Sequence, residues 1–161
     1  MTRKPIVVDT NVIVVANGRQ THADLACQLA CTEALQNAKE KSLVLVDNQN
    51  LIFEEYQRHA NHSGEPGTGD AFFSYLYDNQ YSGKVVRQIP ITPVTDEKRG
   101  FEELPNNILK GGDRAILAVA VVGNAPIVNA TDSDWAEQAE LVEELGIAVT
   151  QLCPQHAIKP N

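Results

Sequence analysis

The hydrophobic positions of the chain fall into short runs of two kinds. Ile6-Val7-Val8 and Leu43-Val44-Leu45-Val46 are continuous apolar stretches, as expected of strands buried on both faces. Between them Ala26, Leu29, Ala30, Ala34 and Ala38 recur at helical spacing through Lys39. Thr21, with Asp24 three residues on, reads as the start of that helix. Asp47 is placed to cap a following helix that carries Leu51, Glu54, Glu55 and Arg58. Glycines and a proline from Asn61 to Gly69 mark a loop, and Asp70 can cap an aromatic segment from Ala71 to Tyr77. Lys84 to Ile91 has strand character, ended by Pro90 and Pro93, and residues 94–110 read as irregular. Gly111-Gly112-Asp113 introduces a helix through Ile116, Leu117, Val119 and Ala120, closed by Gly123. Ile127-Val128 is a short strand, Ser133 or Asp134 starts a helix to Leu145, and Ile147 to Leu152 is a last strand.

This alternation predicts an α/β fold on a central, mostly parallel sheet. Ligands of such sheets bind beyond the carboxyl ends of the strands. Asp9 ends the first strand and Asp132 lies just past Ile127-Val128, so both should emerge on one edge. The length, 161 residues, fits a single domain over 1–161.

Charge narrows the classes of partner. The net charge is −8, so the chain as a whole repels nucleic acid and anionic membranes. A polyanionic substrate needs a local basic patch or bound cations. Cys27, Cys31 and Cys153 are odd in number and fit no zinc spacing. Cys27 and Cys31 share a helix face, and all three read as small core residues of a reducing cytoplasm. The N-terminal sequence shows no signal peptide or membrane anchor, so no membrane association is expected.

The candidate chemistry lies in the acids. Asp9 ends strand one, Glu54 and Glu55 sit on the second predicted helix, Asp113 opens a later helix, and Asp132 and Asp134 follow the late strand. Carboxylates gathered in one pocket repel one another unless a cation compensates them. Hard cations such as Mg²⁺ and Mn²⁺ favour that oxygen-rich setting and can support phosphoryl chemistry. Each acid also has a plainer reading. Asp9 can be a solvated strand end, Asp113 a favourable charge at a helix start, and Asp134 a cap. His59 and His62 read as solvent-facing, and the aromatics 72–77 as core rather than a base-stacking platform.

The stretches VVDTNVIVVA, LIFEEY, GGDRAILAVAVV and IVNATDSDW, in that order, resemble the PIN-domain family of metal-dependent ribonucleases. The resemblance covers Ile6 to Trp135 with a gap at 61–110, which then reads as an insertion or variable region. It implies a three-layer α/β/α sandwich and Mg²⁺- or Mn²⁺-dependent hydrolysis of RNA. Carried over position by position, Asp9, Glu55, Asp113 and Asp132 are the catalytic acids and metal ligands, with Asp134 an accessory ligand. Glu55 is preferred to Glu54 because it directly precedes an apolar position, Tyr56. Asp132 and Asp134 stay open as alternatives, because Ala130 stands where the family often has Thr. Trp135 fills a common aromatic position, and Thr10 and Asn11 fit a polar pair that holds the loop or a water. Thr10, Asn11, Lys110 and Arg114 are the candidate substrate-binding residues, Lys110 and Arg114 as phosphate contacts.

The resemblance further implies an RNA substrate, a homodimer and, in one branch, a toxin held silent by a small antitoxin protein. The alternative is a non-catalytic PIN-like module that binds RNA or protein. Two other phosphotransfer folds fit less well. A haloacid-dehalogenase-like hydrolase needs Asp where Asn11 stands, and a receiver domain needs an early acidic pair and a late lysine.

Overall fold

The computed structural model describes residues 2–19 and 22–157. Among these residues five strands form one parallel sheet: β1 (Lys4–Val8), β2 (Ser42–Asp47), β3 (Val86–Ile89), β4 (Ile127–Asn129) and β5 (Val149–Gln151). Their spatial order is β3-β2-β1-β4-β5, and every pairing is parallel. The chain steps from β1 outward to β3, then crosses back to β4 beside β1. That reversal opens a crevice at the carboxyl ends of β1 and β4, where doubly wound sheets hold ligands.

Among the described residues seven helices connect the strands: α1 (Thr10–Ala16), α2 (Leu25–Lys41), α3 (Leu51–Gln57), α4 (Thr68–Asp78), α5 (Gly112–Gly123), α6 (Asp134–Glu137) and α7 (Ala139–Glu144). α1, α2 and α4 pack on one another, and α5 packs on the sheet and against α3. Val7, Val44, Val86 and Ile127 have no solvent exposure between these layers.

The structure departs from the sequence reading in several elements. Val12 to Val15, an apolar run with no assigned element, belongs to the helix α1. Its Val12, Ile13 and Val15 are buried, so packing overrides their β-branched preference for strands. The buried stripe of α2 is Cys27, Cys31, Leu35 and Ala38, whereas Ala26 and Leu29 of the expected stripe face solvent. Thr21 lies outside the described residues, and Asp24 caps α2 by accepting the Cys27 N–H at 2.8 Å. The single helix expected up to Leu145 is split into α6 and α7 at Gln138. The strands expected over Lys84–Ile91 and Ile147–Leu152 shorten to β3 and β5.

Asp47 does cap the next helix. Its buried carboxylate accepts the N–H groups of Gln49, Leu51 and Ile52 at 2.8–3.0 Å. Asp70 sits inside the first turn of α4 and accepts the N–H groups of Gly67 and Asn61 at 2.9 and 2.8 Å. Phe72 and Phe73 of α4 are core residues, with Phe73 packed edge-on against Tyr56 at a centroid distance of 5.6 Å.

The cysteines are not the three reduced core thiols expected from the sequence. Cys27 and Cys153 form a disulfide across 126 positions, and Cys31 is a buried thiol. The three residues are buried as expected, but only one stays reduced. Among the described residues no helix is long and apolar enough to cross a membrane.

Candidate metal centre

The carboxyl ends of β1 and β4 bring the acids together. Asp9 follows β1 directly and is held to β4 by its N–H, which donates to the Val128 carbonyl at 3.0 Å. Asp132 follows β4, and Asp113 lies in the first turn of α5. Carboxylate oxygens of Asp9, Asp113 and Asp132 lie within 4.8 Å of one another. A cavity of about 230 Å³ opens over them, lined also by Thr10, Asn11, Val14, Glu55 and His59.

Each acid is positioned by a specific contact. The Trp135 indole N–H donates to Asp9 Oδ2 at 2.6 Å, and both residues are buried. Tyr56 donates its hydroxyl to the Val8 carbonyl at 2.5 Å. That bond pins α3 to the end of β1 and turns the preceding Glu55 to the cavity, whereas Glu54 is exposed. Glu55 also accepts from Arg58 Nη1 at 2.9 Å and lies 3.7 Å from His59 Nε2. A Cβ on Gly112 would stand 2.7 Å from Glu55 Cγ, so a residue without a side chain leaves Glu55 its place.

The turn after β4 is tied by two asparagines. Asn11 Oδ1 accepts the N–H groups of Ala130 and Thr131 at 2.8 and 3.0 Å. Asn11 Nδ2 donates to Asn129 Oδ1 at 2.9 Å. Asn129 Nδ2 in turn donates to the Asp132 carbonyl at 2.9 Å and to Gln151 Oε1 at 2.7 Å. Asp132 Oδ1 accepts the Asp134 N–H at 2.8 Å.

Burial and mutual repulsion act together on the acids. Burial, with the Asp132 and Glu55 charges, pushes Asp9 up to about 7 against the opposing pull of the Trp135 N–H. Burial and the charges of Asp9, Asp132 and Asp134 push Asp113 up to about 9. Asp132 is raised by burial, partly offset by the Asp134 N–H. A cation at this spot would relieve all three. Thr10 gives a separate test of whether a cation fits. It lines the cavity, and its buried Oγ1 has no hydrogen-bond partner among the described residues. An all-oxygen donor set with a spare hydroxyl fits a hard divalent cation.

Other expected residues lie elsewhere. Asp134 lines a second cavity with Lys110, Glu137 and Gln138, and reaches the centre only through its contacts with Asp113 and Asp132. Lys110 is exposed there, outside the acidic cavity. Arg114 is bound to Asn107 through Oδ1 at 2.9 Å and the carbonyl at 3.1 Å, so it anchors the 94–110 segment. Asn11 lines the acidic cavity, and its amide is bonded to the turn after β4. Conversely His59, read as solvent-facing, lines the cavity with half its side chain exposed. Its spacing of four from Glu55 on one helix face was the available signal. Asn129, a polar residue closing an apolar strand, was the signal for the tie beneath Asp132.

No family model matches the chain, and no curated protein matches it. Among solved structures, VapBC2 from Rickettsia felis bound to a DNA fragment from its promoter is similar. The identity is 14%, covering 91% of this chain and 98% of that one, with a TM-score of 0.47. A likeness at that level assigns neither an activity nor a partner to this chain.

Proposed function

We propose that this chain is a PIN-like, Mg²⁺- or Mn²⁺-dependent endoribonuclease. The observation that carries the reading is the meeting of Asp9, Asp113 and Asp132 beside the orphaned hydroxyl of Thr10. These three acids would hold the cation, with Glu55 at the cavity wall. The chemistry such an ion supplies is activation of water and neutralisation of phosphate charge. The chain's own groups do the rest. Trp135 fixes the Asp9 carboxylate, Asn11 and Asn129 fix the turn that carries Asp132, and Tyr56 fixes the helix that carries Glu55. Arg58, paired to Glu55, and His59, on the cavity wall, are the proposed contacts for a phosphodiester. The chain carries a net charge of −8, so a bound cation would be needed before RNA can approach.

RNA as substrate puts the proposed place of action in the cytoplasm. The toxin role, a small antitoxin partner and a homodimer belong to the family resemblance. They are tested by the mass of the chain in solution and by inhibition with the product of a neighbouring short reading frame.

The decisive experiment is cleavage of single-stranded and structured RNAs with Mn²⁺, Mg²⁺ or a chelator. Wild type and Asp9→Asn are prepared identically. Cleavage that needs the cation and is lost in folded Asp9→Asn supports the nuclease. RNA binding without cleavage at millimolar Mn²⁺ would favour the non-catalytic module.

A further inference from the structure

We propose that the Cys27–Cys153 disulfide is a redox-sensitive modification site whose state sets the cation affinity of the acidic cavity. The inference rests on the cation-binding reading above and extends it to regulation.

The chain has three cysteines, and all three meet where the first turns of α2 face the segment after β5. Their sulfurs lie within 4.8 Å of one another, and each residue is at most 1% exposed. The bond joins the start of α2 to the segment after β5, where His156 also accepts the Asp24 N–H at 3.4 Å and meets the His22 ring edge-on at 5.9 Å. Beyond it, His156 lies 3.5 Å from the Asp24 carboxylate. The strand it secures, β5, is a three-residue edge strand paired only with β4 among the described strands.

A continuous set of hydrogen bonds runs from the bond to the acids. Two residues before Cys153, Gln151 Oε1 accepts from Asn129 Nδ2 at 2.7 Å, and the Leu152 N–H donates to the Asn129 carbonyl at 2.9 Å. The same Asn129 amide holds the Asp132 carbonyl and Asn11, and Asn11 holds the turn itself. Docking of β5 therefore presets the place of Asp132. Release of Cys153 leaves a short edge strand and the partly exposed His156 contacts as the support of that turn, and short edge elements open locally at low cost.

The chemistry is reduction by a dithiol. One dithiol sulfur attacks a sulfur of the bond, forming a mixed disulfide and freeing the other cysteine. The second dithiol sulfur then displaces the protein thiol and closes a cyclic disulfide. The S–S bond of the protein breaks, an S–S bond forms in the reductant, and two electrons and two protons pass to Cys27 and Cys153. Because both sulfurs are buried, attack requires β5 and its tail to open. By reciprocity, a cation that favours the docked turn must also resist reduction.

The test uses the full chain and Mg²⁺, a hard ion for which thiols do not compete. Mg²⁺ affinity is measured in the oxidised chain, the dithiothreitol-reduced chain and Cys153→Ser, with circular dichroism as the check on folding. The expected result is a loss of about fivefold or more in the reduced chain and in Cys153→Ser, the lower end of typical coupling. In a dithiothreitol redox buffer, saturating Mg²⁺ is expected to shift the reduction equilibrium toward the disulfide by a matching factor, and Cys31→Ser to leave both values unchanged. Gln151→Ala, with the bond intact, is expected to weaken Mg²⁺ binding and shrink the redox difference. Equal affinity in folded oxidised and reduced chains would overturn the proposal alone. No Mg²⁺ binding in the oxidised chain would overturn the cation reading and this inference with it. If the reduced chain unfolds, Gln151→Ala decides, and unchanged affinity there overturns the path.

Discussion

The indole N–H of Trp135 donates to Oδ2 of Asp9 at 2.6 Å, joining α6 to the end of β1 across the interior. It is the bond that lets an acid stand 3% exposed at the end of an apolar strand. Its donor opposes the burial that pushes Asp9 upward. Trp135→Phe keeps an aromatic ring and removes the donor. The expected cost is about 1–3 kcal/mol in urea unfolding, with Mg²⁺ binding shifted to higher pH. An unchanged pH dependence would separate the indole from the function of Asp9.

Stability should depend on pH in a direction set by the raised acids. Asp9 moves from 3.8 to about 7 and Asp113 from 3.8 to about 9, so the folded chain keeps protons that the unfolded chain has lost. Their contribution is fully present below pH 3.8, and falls as pH rises through about 7 and then about 9. Melting temperature in chelator should decline across that window from these two groups. Saturating Mn²⁺ should flatten the decline, because a bound cation replaces the protons. A parallel decline with and without Mn²⁺ would count against the centre.

Gly112→Ala separates stability from activity. The added Cβ meets Glu55 Cγ at 2.7 Å and Cδ at 2.9 Å, atoms of a side chain that can swing away. Gly112 is helical, so alanine should leave stability unchanged or raise it by about 0.4–1 kcal/mol. RNA cleavage should fall, because the displaced carboxylate leaves the cavity wall. Unaltered cleavage would show that the position of Glu55 does not matter.

Asp47→Ala removes a buried acceptor of three N–H groups at the start of α3. A loss of about 1–3 kcal/mol in urea unfolding is expected, together with weaker cleavage, since α3 carries Glu55 and Tyr56.

Much of this architecture can be read from the chain because local signals agree with the tertiary outcome. β1, β2 and β4 are apolar runs wide enough to be buried on both faces, and Asp47 and Gly111-Gly112 mark the helix starts that follow. The carboxylates converge because two strands of one parallel sheet end at the same edge. What could not be read depends on distant partners. Helix α1 is β-branched and forms because its neighbours bury it. The buried stripe of α2 is decided by its packing against α1, α4 and β2 and by the Cys27–Cys153 bond to a segment over a hundred positions away. An odd cysteine count conceals which two pair. Lys110 and Arg114 flank Asp113 in sequence, yet Arg114 is taken by Asn107 and Lys110 faces a different cavity.

The most direct test is calorimetric titration of the chain with Mn²⁺ near neutral pH, in buffers of different ionisation enthalpy, for wild type and Asp113→Asn. Wild type should bind Mn²⁺ with release of protons, because Asp113, raised to about 9, must give up its proton to hold the ion. Folded Asp113→Asn should lose most of the affinity and most of the proton release. Absence of binding in wild type, or binding that the substitution leaves intact, would contradict the assignment of Asp9, Asp113 and Asp132 as a cation centre.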